Sequence, residues 1–179
     1  RNSMVRNMLR LRWPSEALGD SFEACIEAHR SALATTPAPH VLVGSSWGGA
    51  VAAALVASGA WRGPTVLMCP ALHVRERRLA ELADRPLLTS AAITAQLAAM
   101  PTAVKARCLL VHGTADATVP IEDSRTLASA TGIVLVEVEG AEHGLGEWTA
   151  GGGLKAAIER ACVGGPHEAD SSPSKPPLS

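Results

Sequence analysis

An α/β fold, a mostly parallel sheet flanked by helices, is predicted for this 179-residue chain by three observations. Short apolar runs recur at Val41–Gly44, Thr65–Cys69, Cys108–Val111 and Ile133–Val138. Stretches with helical spacing separate them, as parallel strands require, because each crossover carries a helix. And Ser46, Asp116 and His143 each fall just past one of those runs, at the strand ends where active sites of such sheets gather.

The elements follow in order. Residues 1–19 form a basic N-terminal remnant: Arg1, Arg6, Arg10 and Arg12 precede the first acid, Glu16. Val5, Met8 and Leu9 share a helical face, whereas Leu9, Leu11 and Trp13 alternate like a strand; a short helix is the favoured reading. Asp20 or Ser21 caps a helix to about Ala34, with Phe22, Cys25, Ile26, His29 and Leu33 on one face. Thr35–Pro39 breaks it. Val41–Gly44 is a strand apolar on both faces, and helix 47–58 follows. Thr65–Cys69 is the next strand. Two short helices, Leu72–Asp84 and Ser90–Ala99, lie in the segment 71–105, a candidate cap that sets specificity without a distinctive selector residue. Cys108–Val111 leads into an Asp-bearing loop, helix 121–130 stops at Gly132, and Ile133–Val138 leads into a His-bearing loop. A last helix covers about Gly153–Cys162. The core is 20–163, and 164–179 is rich in Gly, Pro, Ser and charge, the composition of a disordered tail.

Bulk properties narrow the function. Hydrophobic residues are 47% and charged residues 18%, the balance of one globular domain with a core. A net charge of −1 argues against nucleic acid as a main partner. No apolar run approaches the ~20 residues of a membrane span. Aromatics are only 3%, which leaves few platforms for stacking on bases or sugars. Cys25, Cys69, Cys108 and Cys162 form no C-x-x-C pair and sit in strand-like or helix-like runs. They read as buried free thiols of a reducing, cytoplasmic compartment, although spacing leaves disulfides open. The Arg-rich start also has the look of an organelle import segment.

The stretch Gly44-Ser45-Ser46-Trp47-Gly48 carries the chemistry. It is G-x-S-x-G between an apolar strand and an alanine-rich helix. Such a turn strains its central residue, so its neighbours must be small, and it lifts the Ser46 hydroxyl above the sheet end. The Trp47 amide opens a helix whose dipole favours negative charge, half of an oxyanion hole. A serine hydroxyl needs a base, and the base needs an acid to fix its tautomer. His143 is the candidate base and Asp116 the candidate acid, and the chain order is Ser, Asp, His.

Three pieces therefore resemble the α/β-hydrolase superfamily, in particular its small single-domain carboxylesterase and thioesterase-like members. They are Gly44-Ser45-Ser46-Trp47-Gly48-Gly49, His112-Gly113-Thr114-Ala115-Asp116-Ala117-Thr118-Val119-Pro120, and Gly140-Ala141-Glu142-His143. The resemblance covers about residues 20–162. It implies a serine hydrolase acting on a small ester or thioester, a Ser46–Asp116–His143 triad, the Trp47 amide as oxyanion donor, and no cofactor or metal. It also implies an early strand and a His-Gly loop before the elbow, which supply the second oxyanion amide. Neither is visible here, so the reading is an α/β-hydrolase fold lacking its first strands, N-terminally truncated. The rival reading is a catalytically weak or inactive fragment acting as a binding or assembly module.

Other residues have plainer readings. Glu139 and Glu142 are rival acids, but they share the loop of His143 and are poorly placed to orient it. Asp116 also suits a turn by itself. His112 shapes the acid loop; His29, His40, His73 and His167 are surface or packing residues. No cluster has zinc-ligand spacing. Gly151-Gly152-Gly153 lacks both phosphate-binding patterns and marks the start of a helix. Trp47 either lines the acyl pocket or packs on a helix.

Overall fold

The computed structural model describes residues 8–10, 22–35, 39–74 and 88–164. Among the described residues, five strands make one sheet: β1 (Met8–Arg10), β2 (Val41–Ser45), β3 (Thr65–Met68), β4 (Cys108–Gly113) and β5 (Val134–Val138). Every neighbouring pair is parallel, and the order across the sheet is the order in the chain.

That order decides where the helices lie. Right-handed crossovers that always step the same way put their helices on one face. On that face are α1 (Phe22–Thr35), α2 (Trp47–Ala57), α3 (Ser90–Ala98) and α5 (Ile121–Thr131). Their side chains join Leu42, Leu67 and Leu110 in one core cluster. The short α4 (Thr102–Lys105) lies between α3 and β4. After β5 the chain turns back through α6 (Gly146–Ala150) into α7 (Gly153–Val163). Ala157 and Ala161 of α7 cover Val66, Met68, Leu109 and Val111 on the opposite face.

Strand alternation thus serves two cores: successive residues of β3 and β4 point to opposite clusters, and all of both strands is buried. In α2, Gly49 to Ala57 are all buried, which accounts for its lack of a polar face. Its small side chains let the helix sit close to the sheet. Gly132, in the left-handed region at φ 75°, ends α5 where the sequence places a stop.

Three sequence expectations are corrected. Met8–Arg10 is a strand, not part of a short helix; it pairs Met8 with Val41 and Arg10 with Val43. A strand does precede the elbow, and it covers the flank of β2 whose apolar backbone would otherwise lie unpaired. Cys162 is exposed rather than buried, because it faces away from the sheet beside buried Ala161; the other three cysteines are buried, and none of the four is in a disulfide. The helices α4 and α6 were not predicted, being too short to show a period. The expected caps at Asp20 or Ser21, most of helix 72–84, most of the basic start and the tail beyond Gly164 lie outside the described residues.

Candidate active site

Backbone strain gathers at one end of the sheet. Among the described residues, the non-glycine residues at positive φ are Ser46 (55°), Cys69 (43°) and Leu145 (49°). They follow β2, β3 and β5 respectively, all at carboxyl ends. Such conformations cost about 1–3 kcal/mol each and persist where the surroundings over-determine them.

At Ser46 the surroundings are backbone. The Ser46 N–H donates to the Met68 carbonyl at 2.9 Å, and the Ser46 carbonyl accepts from Ala50 at 3.1 Å and Ala71 at 3.0 Å. The turn therefore ties β2, α2 and the segment after β3 together. It closes tightly: a Cβ on Gly44 would collide with the Gly48 carbonyl and lie 2.9 Å from the Ala52 Cβ. A Cβ on Gly49 would lie 3.0 Å from the Pro70 Cα. These contacts give the small residues around Ser46 their physical reason. The Trp47 ring meets Phe22 edge-on at 5.6 Å and packs against the helix-side core, so of its two expected roles the structure shows packing.

Asp116 and His143 are brought together. His143 Nδ1 lies 2.7 Å from Asp116 Oδ2. The other carboxylate oxygen accepts N–H bonds from Thr118 at 2.8 Å and Val119 at 2.9 Å. Two loops make this possible. Thr114 N–H donates to the Val138 carbonyl and Ala115 N–H to the Ala141 carbonyl, each at 3.0 Å. Gly140 N–H donates to Thr114 Oγ1 at 2.8 Å. A Cβ on Gly113 would collide with the Ala141 carbonyl, so the acid loop and the histidine loop touch backbone to backbone. Leu145, fully buried in the second cluster, anchors the far side of the histidine loop. Glu139 and Glu142 are exposed.

Residues 6–150 match the uncharacterised protein family UPF0227. The chain belongs to this family. Comparison with the curated proteins gives no match. Solved structures similar to this UPF0227 member include the Paleococcus ferrophilus monoacylglycerol lipase (17% identity, TM-score 0.55), over 82% of this chain and 79% of that one. A Pectobacterium atrosepticum protein described as a YdeN-like hydrolase shares 22% identity at TM-score 0.56, over 84% and 75%. A Thermoplasma acidophilum protein described as a CIB-like hydrolase shares 20% at TM-score 0.56, over 81% of this chain but 63% of its own length. The UPF0227 member has the α/β-hydrolase fold.

Electrostatics at Asp116 follow from its contacts. Burial alone would raise its carboxyl; the Val119 N–H, the bond from His143, the Thr118 N–H and the Cys69 thiol outweigh it and hold the group below the ordinary carboxylate value. The carboxylate can only accept, so His143 Nδ1 carries a proton, and in the neutral ring Nε2 is then the nitrogen with the lone pair. A depressed folded-state pKa stabilises the fold above the ordinary carboxylate value. That contribution is lost as pH falls through the lower, folded value. The stability advantage of wild type over Asp116→Asn is therefore expected to shrink on acidification. Thermal melts of both proteins along a descending pH series check this; an advantage that grows toward acid contradicts it.

Two partners of the acid were not singled out as such from sequence. His112 is fully buried, with Nε2 3.0 Å from the Val119 carbonyl and 3.1 Å from Asp116 Oδ2, and Nδ1 2.7 Å from Ser124 Oγ. Facing two acceptors, Nε2 carries a proton. Cys69 stands beside them: one ligand-type atom of each of Cys69, His112 and Asp116 lies within 4.8 Å of the others. That spacing would suit a metal ion. However, His112 Nε2 is committed to a carbonyl, and Asp116 already accepts from Thr118, Val119 and His143. The trio therefore fits a hydrogen-bond network around a carboxylate. The signal in the sequence was position alone: Cys69 follows β3 directly, at the sheet end that carries Ser46, Asp116 and His143.

Among the described residues no helix is long and apolar enough to cross a membrane.

Proposed function

We propose that this chain is a serine hydrolase that cleaves a carboxylic ester or thioester of a small molecule through an acyl-serine. The observation that carries the reading is the His143–Asp116 hydrogen bond of 2.7 Å on the same sheet end as the strained Ser46. His143 Nε2 takes the Ser46 hydroxyl proton as Oγ attacks the acyl carbonyl carbon. Negative charge builds on the carbonyl oxygen, and the Trp47 amide at the head of α2 stabilises it. Collapse expels the alcohol or thiol, which His143 protonates. Water, deprotonated by His143, then attacks the acyl-serine, and the acid leaves with Ser46 restored. Asp116 holds His143 in the tautomer that leaves Nε2 unprotonated and stabilises the imidazolium formed in both halves. No step calls for a metal or an organic cofactor.

The test is covalent labelling of the purified chain with a fluorophosphonate, followed by mass mapping. The expected result is one adduct, on Ser46, lost in Ser46→Ala and lost again after heat unfolding. A folded protein that never labels, or that labels elsewhere, overturns the reading and favours a non-catalytic binding module.

A further inference from the structure

We propose that Cys69 is a positioning residue for this reaction: its thiol donates to the Asp116 carboxylate and limits how much of that charge reaches His143. The inference rests on the hydrolase reading and adds a fourth side chain, from a fourth loop, to its machinery.

The geometry is specific. Cys69 is fully buried and held in the left-handed region at φ 43°, a conformation that cysteine adopts only under constraint. Its N–H donates to the Val111 carbonyl at 2.9 Å, which locks the residue onto β4, the strand that feeds the acid loop. Its sulfur lies within 4.8 Å of ligand atoms of His112 and Asp116. Burial pushes the thiol up to about 12, and the Gly113 N–H on the sulfur only partly offsets this. The S–H is thus retained at neutral pH. Beside an ionised carboxylate a retained S–H has one use, as a donor. The raised value also makes Cys69 a poor nucleophile, which sets aside a thiol-enzyme role.

The consequence is electrostatic. Asp116 faces Cys69 from β3, His112 and two backbone N–H groups from its own loop, and His143 from the loop after β5. Glu139, Glu142 and Glu147 lie near His143 in sequence but are exposed. Every donor on the carboxylate other than His143 draws on the charge that stabilises the imidazolium. Removing the thiol leaves more charge for His143. The protonated imidazole gains, so the His143 pKa rises and the acid limb of the pH–rate profile moves upward.

The experiment compares wild type, Cys69→Ala and Cys69→Ser. One readout is ester hydrolysis across pH, and the other is the NMR titration of the His143 ring, assigned with His143→Gln. In Cys69→Ala we expect kcat on the plateau above the acid limb to rise about 3- to 10-fold with KM unchanged, because the carboxylate charge no longer shared with the thiol stabilises the imidazolium. The acid limb and the ring titration should both shift upward. Cys69→Ser, which keeps a donor, should move both back toward wild type. Unchanged profiles and titration in a folded Cys69→Ala protein overturn the proposal. The titration needs no turnover, so the two readings can fail separately. No Ser46-dependent hydrolysis with a shifted ring titration rejects the hydrolase and keeps the coupling; Ser46-dependent hydrolysis with no shift does the reverse.

Discussion

Ser46→Ala is expected to lower kcat by about 10⁶ and Asp116→Asn by about 10⁴, both in folded protein. The first loss follows from the proposed chemistry, in which Ser46 Oγ forms the acyl-enzyme. The second follows from the hydrogen-bond pattern around residue 116. One carboxylate oxygen accepts two backbone N–H groups, from Thr118 and Val119. An asparagine must turn its amide oxygen to that side, because its NH₂ would otherwise face two donors. The NH₂ then occupies the side that meets His143 Nδ1 and His112 Nε2. His143 can pair with it only by moving its proton from Nδ1 to Nε2. That tautomer has no lone pair left for the Ser46 hydroxyl. The defect therefore lies in kcat and leaves KM near its wild-type value. Steady-state hydrolysis of a short p-nitrophenyl ester measures it, with a thermal melt to show that the fold persists. Retention of more than about one-tenth of wild-type kcat in Asp116→Asn would shift the acid's role to another group, Glu139 or Glu142 first.

The parts of this arrangement that were legible in the sequence share a cause. Ser46, Asp116 and His143 each sit in a loop whose own residues announce it: small residues around a serine, a turn-forming Asp-x-x-Val-Pro, a Gly-x-x-His after an apolar run. Local chemistry writes local sequence, and the strand ends then bring the loops to one side. Cys69 and His112 were legible only as a strand-end thiol and a loop-shaping histidine. Their place around one carboxylate depends on β3 lying beside β4, and adjacency across a sheet leaves no mark on either strand alone. The strand at Met8–Arg10 failed for a related reason. Three residues carry too little period to outweigh a helical face, and what makes them a strand is the open flank of β2. Cys162 was misplaced because one apolar residue in a helix says little about which face it occupies.

Gly44→Ala is expected to destabilise the fold by about 1–3 kcal/mol, toward the upper end. At roughly 2–4 °C per kcal/mol this is a loss of several degrees in Tm. Glycine at this position is not needed for a left-handed conformation, since its φ is not positive. It is needed for space. The added methyl would lie 2.7 Å from the Gly48 carbonyl carbon and 2.9 Å from the Ala52 Cβ. None of these atoms is the free end of a flexible side chain, so relief requires α2 to move off β2. That helix is buried from Gly49 to Ala57 on a sheet it touches through small side chains, and shifting it opens gaps along the whole contact. Gly132 provides the contrast. It sits at φ 75° with nothing within 4 Å of an added methyl, so alanine there costs backbone strain alone, on the order of 1 kcal/mol. Melts of the two variants separate the causes. A larger loss at Gly44 than at Gly132 marks the elbow as a steric fit between backbone segments, and Ser46 reactivity toward the fluorophosphonate should fall with it. Equal losses would reduce the elbow to an ordinary glycine effect.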